Sequence, residues 1–119
     1  MTSAAMTRST QYRPGWRGSG LQIKVRYGPT GPGIMLIGEL DLCSGGQLYA
    51  TLHTLAGRGV DVWLDLFNLR FCDCAGLRVF VRVNQELQHT GHRLALRHPS
   101  PQLRRLLSLT RLDQALAVA

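Results

Sequence analysis

The hydrophobic period changes several times along this chain, and that change restricts the fold more than any other feature. Leu21-Gln22-Ile23-Lys24-Val25-Arg26-Tyr27 alternates between apolar and other residues, the period of a half-buried strand. Gly28 to Gly33 is a turn by composition. Ile34 to Leu40 is a second apolar run, so the two segments are expected to pair as an antiparallel hairpin. The period then becomes helical. Leu48, Leu52, Leu55 and Ala56 form one face, and Gln47, Thr51, Thr54 and Arg58 the other. Ser44 followed by Gln47 reads as a capping box that starts this helix, and Gly57 and Gly59 read as its stop.

The pattern repeats. Val60 to Leu66 reads as a buried parallel strand, with Asn68 as a turn after it. Residues 75–89 read as a second helix with Leu77, Phe80, Val83 and Leu87 on one face, and Gly91 ends it. Residues 93–97 are a fourth strand. Ser100 is placed to cap, and Pro101 to start, a third helix packed through Leu103, Leu106, Leu107 and Leu109. Residues 112–118 read as a last helical turn. The order β-β-α-β-α-β-α predicts an α/β domain: a small mixed four-stranded sheet, backed by helices, over residues 21–119. Residues 1–20, rich in Ser, Thr, Gly and Arg without an apolar period, are expected to be a disordered tail.

Composition narrows the function classes. The 119 residues are one domain's worth, and 45% of them are apolar, enough for a core. No apolar run is long enough for a membrane span, and the first 20 residues lack a secretory h-region, which together predict a cytoplasmic protein. Cys43, Cys72 and Cys74 are too few for a disulfide framework, and the lone Cys72-Asp73-Cys74 lacks the second cluster that zinc sites carry. No metal and no cofactor are expected. There is no phosphate loop, no dinucleotide fingerprint and no ordered nucleophile–base set, so no enzyme is expected. The net charge of +7 is almost all arginine, with Lys24 the only lysine. The cations are scattered and no aromatic residues interleave with them, which argues against nucleic acid and for an acidic protein partner.

Two motifs carry a family resemblance. Gly38-Glu39-Leu40-Asp41-Leu42 resembles the G-E-L-D signature of STAS-type anti-sigma factor antagonists, which stands just before their first helix. Asp65 to Leu77 resembles their D-L-S-G-V-x-F-hydrophobic-D-S-S-G-L signature, which crosses from a strand into the second helix. With a helix and a strand between them, the resemblance runs over residues 21–118. It implies a partner switch: an antagonist that binds an anti-sigma factor with serine kinase activity and is released by phosphorylation of the first serine in D-S-S-G. A STAS subunit of another assembly, such as a lipid-transport complex or a signalling scaffold, is the alternative.

The second motif departs from the pattern where it matters most. Cys74 holds the phospho-acceptor position and Ala75 the next, so no hydroxyl lies between Phe71 and Leu77. A kinase that sets an alkoxide-type nucleophile against a γ-phosphate has no substrate there. No phosphorylation is expected at 74. A thiol at a helix N-terminus ionises more readily, which makes Cys74 a redox candidate, but Asp73 beside it opposes that. Plain packing of a serine-sized residue is the favoured reading. By resemblance the partner surface is Glu39, Asp41, Asp73, Cys74, Ala75, Gly76 and Leu77. Asp73 also fits a helix cap, Asp41 a solvated loop acid, and Phe67 an exposed contact.

Overall fold

The computed structural model describes residues 8–9 and 20–118. Six strands form one sheet in sequence order: β1 (Arg8–Ser9), β2 (Leu21–Gly28), β3 (Gly31–Leu40), β4 (Val62–Cys72), β5 (Leu94–Arg97) and β6 (Ala117–Val118). Among the described residues four helices connect or flank them: α1 (Leu42–Ala56), α2 (Cys74–Gln88), α3 (Pro101–Leu109) and α4 (Leu112–Ala115). β2 pairs antiparallel with both β1 and β3, and β3 through β6 are parallel. The mixed α/β class expected from the period changes is what forms. Apart from Arg8–Ser9, which pairs with β2, and Gly20, the tail expected over 1–20 lies outside the described residues.

The alternation in β2 does what a period of two must. Leu21, Ile23 and Val25 are buried while the residues between them are half-buried. Their partners on the same face are Ile34, Leu36 and Leu40 of β3, Val62, Leu64 and Leu66 of β4, and Leu94 and Leu96 of β5. The core closes with Leu48, Leu52 and Leu55 of α1, Leu77, Phe80, Val83 and Leu87 of α2, and Leu103 and Leu107 of α3. These are the helix faces that the 3.6 period marks.

Several boundaries differ from expectation. Two strands were added to the expected four, both two-residue edges. The first hairpin turn shrinks to Pro29–Thr30, because Gly31, Pro32 and Gly33 join β3. Gly33 is needed there: a Cβ would stand 2.0 Å from the Trp63 ring, whose indole N–H donates to the Gly31 carbonyl at 3.0 Å. Asn68 is not a turn. It pairs with Ile37 inside β4, which runs on to Cys72 with register shifts between Met35 and Ile37 and between Gly38 and Glu39. These bulges let the chain stay in the ladder although strict alternation has lapsed. Finally, residues 112–118 are not one helical turn: α4 stops at Ala115, and Ala117–Val118 pair with Ala95–Leu96.

Candidate functional site

β3 and β4 end side by side, and each runs directly through an aspartate into a helix. Leu40 pairs with Cys72 as the last rung, and the Asp73 N–H donates to the Leu40 carbonyl at 3.3 Å. Asp41 and Asp73 are therefore neighbours at the carboxyl ends of adjacent parallel strands, and each is the N-cap of the helix that follows.

The Asp41 cap is the more elaborate. Its Oδ1 accepts from the backbone N–H groups of Cys43 at 3.0 Å and Ser44 at 3.1 Å, and from the Ser44 hydroxyl at 3.1 Å. The Ser44 Oγ in turn accepts the Asp41 N–H at 3.0 Å. This corrects two expectations. Ser44 is not the cap but the third helical residue of the box, and Asp41 is not a free loop acid. The helix starts three residues earlier because aspartate caps at least as well as serine and sits next to the end of the strand. Gly38 explains why the first motif opens on glycine. Its φ is +109, and a Cβ there would stand 2.3 Å from the Gly20 carbonyl oxygen. Glu39, one residue on, lies 4.0 Å from Arg70 across the strands. Such an exposed pair contributes at most about 1 kcal/mol.

Asp73 accepts the Gly76 N–H at 3.0 Å through Oδ1, as a cap should. Gly76 and Leu77 are buried, Ala75 is half-buried and Cys74 is exposed. Gly76 is a point of close approach: a Cβ would meet Cys72 Sγ and Leu40 Cγ and Cδ2, all at 2.8 Å. The helix thus presses on the last rung of the sheet, which fixes where Asp41 and Asp73 stand. Cys74 begins α2 and lines an open groove of about 490 Å³ together with Leu77, Val81 and Leu112 and the polar residues Arg78, Arg82, Gln85 and Thr110. The expected site residues sort cleanly. Asp41, Asp73 and Cys74 share one surface, Glu39 stands beside it, and Gly76 and Leu77 support it from below.

Sequence reasoning passed over Leu42, the first residue of α1, whose side chain is 79% exposed beside Asp41. The signal was its place directly after a strand-ending aspartate. It also passed over a bracket between α1 and α2. The Tyr49 hydroxyl donates to Glu86 Oε2, His53 Nδ1 lies 2.9 Å from Oε1, and the Arg82 guanidinium lies 4.0 Å over the Tyr49 ring. The Tyr49 hydrogen bond holds the Glu86 carboxyl below its ordinary range, with His53 and Arg82 acting in the same sense against partial burial. The same bond raises the Tyr49 phenol.

The two thiols of the second motif have opposite surroundings. All three cysteines are free. Cys72 packs against the core, and burial, then the Asp73 and Cys74 charges, push its pKa up to about 12. At pH 8 iodoacetamide is expected to label Cys43 and Cys74, both exposed, at least ~100-fold faster than Cys72, since only the thiolate reacts. Peptide mapping by mass spectrometry reads this directly, and equal labelling of all three would refute the packing of Cys72. Among the described residues no three His, Cys, Asp or Glu side chains gather as a metal site, and no helix is long and apolar enough to cross a membrane.

With this geometry in place, comparison with known proteins is informative. Residues 23–118 match the family model described as Mlab, STAS domain. No curated protein matches the chain. Among solved structures, an anti-sigma factor antagonist from Mycobacterium paratuberculosis superposes with a TM-score of 0.72 at 20% identity, covering 90% of this chain and 88% of that one. The antagonist SpoIIAA in its unphosphorylated form gives 0.69 at 23% identity over 82% and 87%. The Bacillus cell fate determinant SpoIIAA in its phosphorylated form gives 0.64 at 24% identity over 84% and 91%. These likenesses establish the fold. Taken with the family match over nearly the whole described domain, they show that the chain belongs to the STAS domain family.

Proposed function

We propose that this protein is an anti-sigma factor antagonist that binds an anti-sigma factor with serine kinase activity, and that its cap surface is the contact. The observation that carries the reading is the pairing of two capping aspartates, Asp41 and Asp73, at the ends of adjacent parallel strands, with exposed Cys74 next to them. In this reading Cys74 leaves the switch without its acceptor. A phosphate at the start of α2 would add a charge of about −1.5 to −2 to a surface that already carries two carboxylates. With a thiol there the surface stays in one electrostatic state, and the antagonist binds its partner constitutively. The basic balance of the whole chain favours long-range attraction to a partner with acidic surface and salt-sensitive association, while the two carboxylates of the cap surface call for cations where the partner touches them. The absence of a hydroxyl also suits the second reading, a STAS subunit held permanently in another assembly, such as a lipid-transport complex or a signalling scaffold.

The test uses wild type, Cys74→Ser and Cys74→Asp with a purified anti-sigma kinase from the same cells and labelled ATP. Wild type is expected to bind and stay unlabelled. Cys74→Ser is expected to bind and accept phosphate. Cys74→Asp is expected to bind at least ~100-fold more weakly, because a misplaced like charge in an interface costs several kcal/mol. Undiminished binding by the aspartate variant would show that the contact lies elsewhere. A kinase that ignores all three proteins would favour the second reading.

A further inference from the structure

Helix α3 is apolar on two sides. Leu103 and Leu107 are buried in the core, while Leu106 is half-buried and Leu109 is 74% exposed. The outer side faces the far end of β4. There β4 outruns its neighbour, because β5 pairs only with Val62–Asp65 and leaves Leu69–Cys72 without a strand on that side. Between this strand end and α3 lies a groove of about 330 Å³, with Leu69, Phe71, Leu103, Leu106 and Leu109 in its walls. Phe71 is 51% exposed, so two large apolar side chains meet water at one place. Arg70 and Arg105 also line it, with Cys72, Ser100 and Gln102, and no acidic residue belongs to it. Arg70 reaches only toward Glu39, at 4.0 Å, and Arg105 makes no ion pair among the described residues.

We propose that this groove is a docking site for an acidic amphipathic helix of another protein. Apolar walls on both sides suit the apolar face of a helix laid in a groove. Arg105, with no ion pair among the described residues, and Arg70, whose partner Glu39 stands 4.0 Å away, select negative flanks. Other occupants fit poorly. Residues 1–19 of this chain carry Arg8, Arg13 and Arg17 and no acid. A second copy has no suitable helix: α1 and α3 contain no Asp or Glu, and the single acid of α2, Glu86, is held by Tyr49 and His53. An added strand is disfavoured because the bulges along β4 break the ladder beside the groove. The inference does not depend on how the cap surface is used.

The experiment uses the full chain with labelled leucine methyl groups. The probe is a synthetic helical peptide with Leu at i, i+3, i+4 and i+7 and Glu on both flanks. Its methyl shifts are expected at Leu69, Leu103, Leu106 and Leu109 and not at Leu77. A peptide with Lys in place of Glu is expected to bind at least ~10-fold more weakly, as is the Glu peptide to Arg105→Glu or Leu109→Ser. Both substitutions fall on exposed side chains, so the remaining amide spectrum should be unchanged. The proposal is overturned by absence of shifts, by equal affinity for the Lys peptide, by tighter binding of an extended Val/Glu peptide, or by shifts centred on Leu77.

Discussion

Gly76→Ala is expected to lower the melting temperature, while Gly46→Ala, a glycine-to-alanine change in the neighbouring helix, raises it. Helix propensity alone predicts a gain of about 1 kcal/mol at each site. At Gly46 nothing lies within 4 Å of an added Cβ, so the propensity gain should appear. At Gly76 the new carbon meets three heavy atoms at 2.8 Å, two of them on Leu40, which is fully buried at the last rung of β3. Leu40 can yield only by moving the strand end or by leaving its rotamer. Overpacking of this kind costs about 1–3 kcal/mol, which reverses the sign. For a domain of this size a net loss of up to about 2 kcal/mol corresponds to a fall of up to roughly 10 °C. Because Leu40 precedes Asp41, the same change should loosen the first cap, seen as faster exchange of the Ser44 and Gly45 amides. A melting temperature equal to or above wild type would show that α2 does not press on the sheet here.

Asn84→Ala is expected to have an effect of similar or larger size by a different route. Asn84 is the only polar side chain in the described core, at 4% exposure. Its Oδ1 accepts the Leu94 N–H at 2.9 Å, and its Nδ2 donates to the Ala115 carbonyl at 3.0 Å. One side chain thus ties α2 to the start of β5 and to the end of α4. Truncation strands the buried Leu94 N–H, costing about 1–3 kcal/mol, releases the carbonyl of exposed Ala115 and leaves a small void. We expect a loss of about 2–4 kcal/mol, a large share of a typical domain stability of about 5–15 kcal/mol. Hydrogen exchange localises the effect. The amides of Leu94, Leu96 and Val118 should lose protection well before those of β2 and β3. Uniform loss across the sheet would mean that Asn84 acts through general packing and not as a clamp.

The sequence made the architecture readable where one period ran without interruption. β2, the faces of α1 and α2, and the Ser100–Pro101 start of α3 form where alternation, spacing and cap chemistry agree. It was less readable where tertiary pairing overrode local pattern. Asn68 looks like a turn in isolation, yet β3 lies alongside and bulges absorb the irregularity. Ser44 looks like a cap because serine favours that place, but the helix has already started at Leu42, with Asp41 accepting the Cys43 and Ser44 N–H groups. The Asn84 clamp had no local signal, since its partners lie 10 and 31 residues away. In the site, the two motifs located Asp41, Asp73 and Cys74. That the aspartates stand side by side follows from the parallel pairing of β3 with β4, which no single motif encodes.

The two caps have a thermodynamic consequence for whatever docks there. A carboxylate on a mobile side chain loses rotamer freedom when a partner fixes it, and such ordering costs about 0.5–1.5 kcal/mol per side chain. Asp41 is held by three donors and Asp73 by the Gly76 amide before any partner arrives. Both side chains stay partly exposed while these bonds hold them in place. A partner that read these two charges, as proposed above, would meet a surface whose conformational entropy was surrendered during folding, so more of each contact formed would appear as affinity.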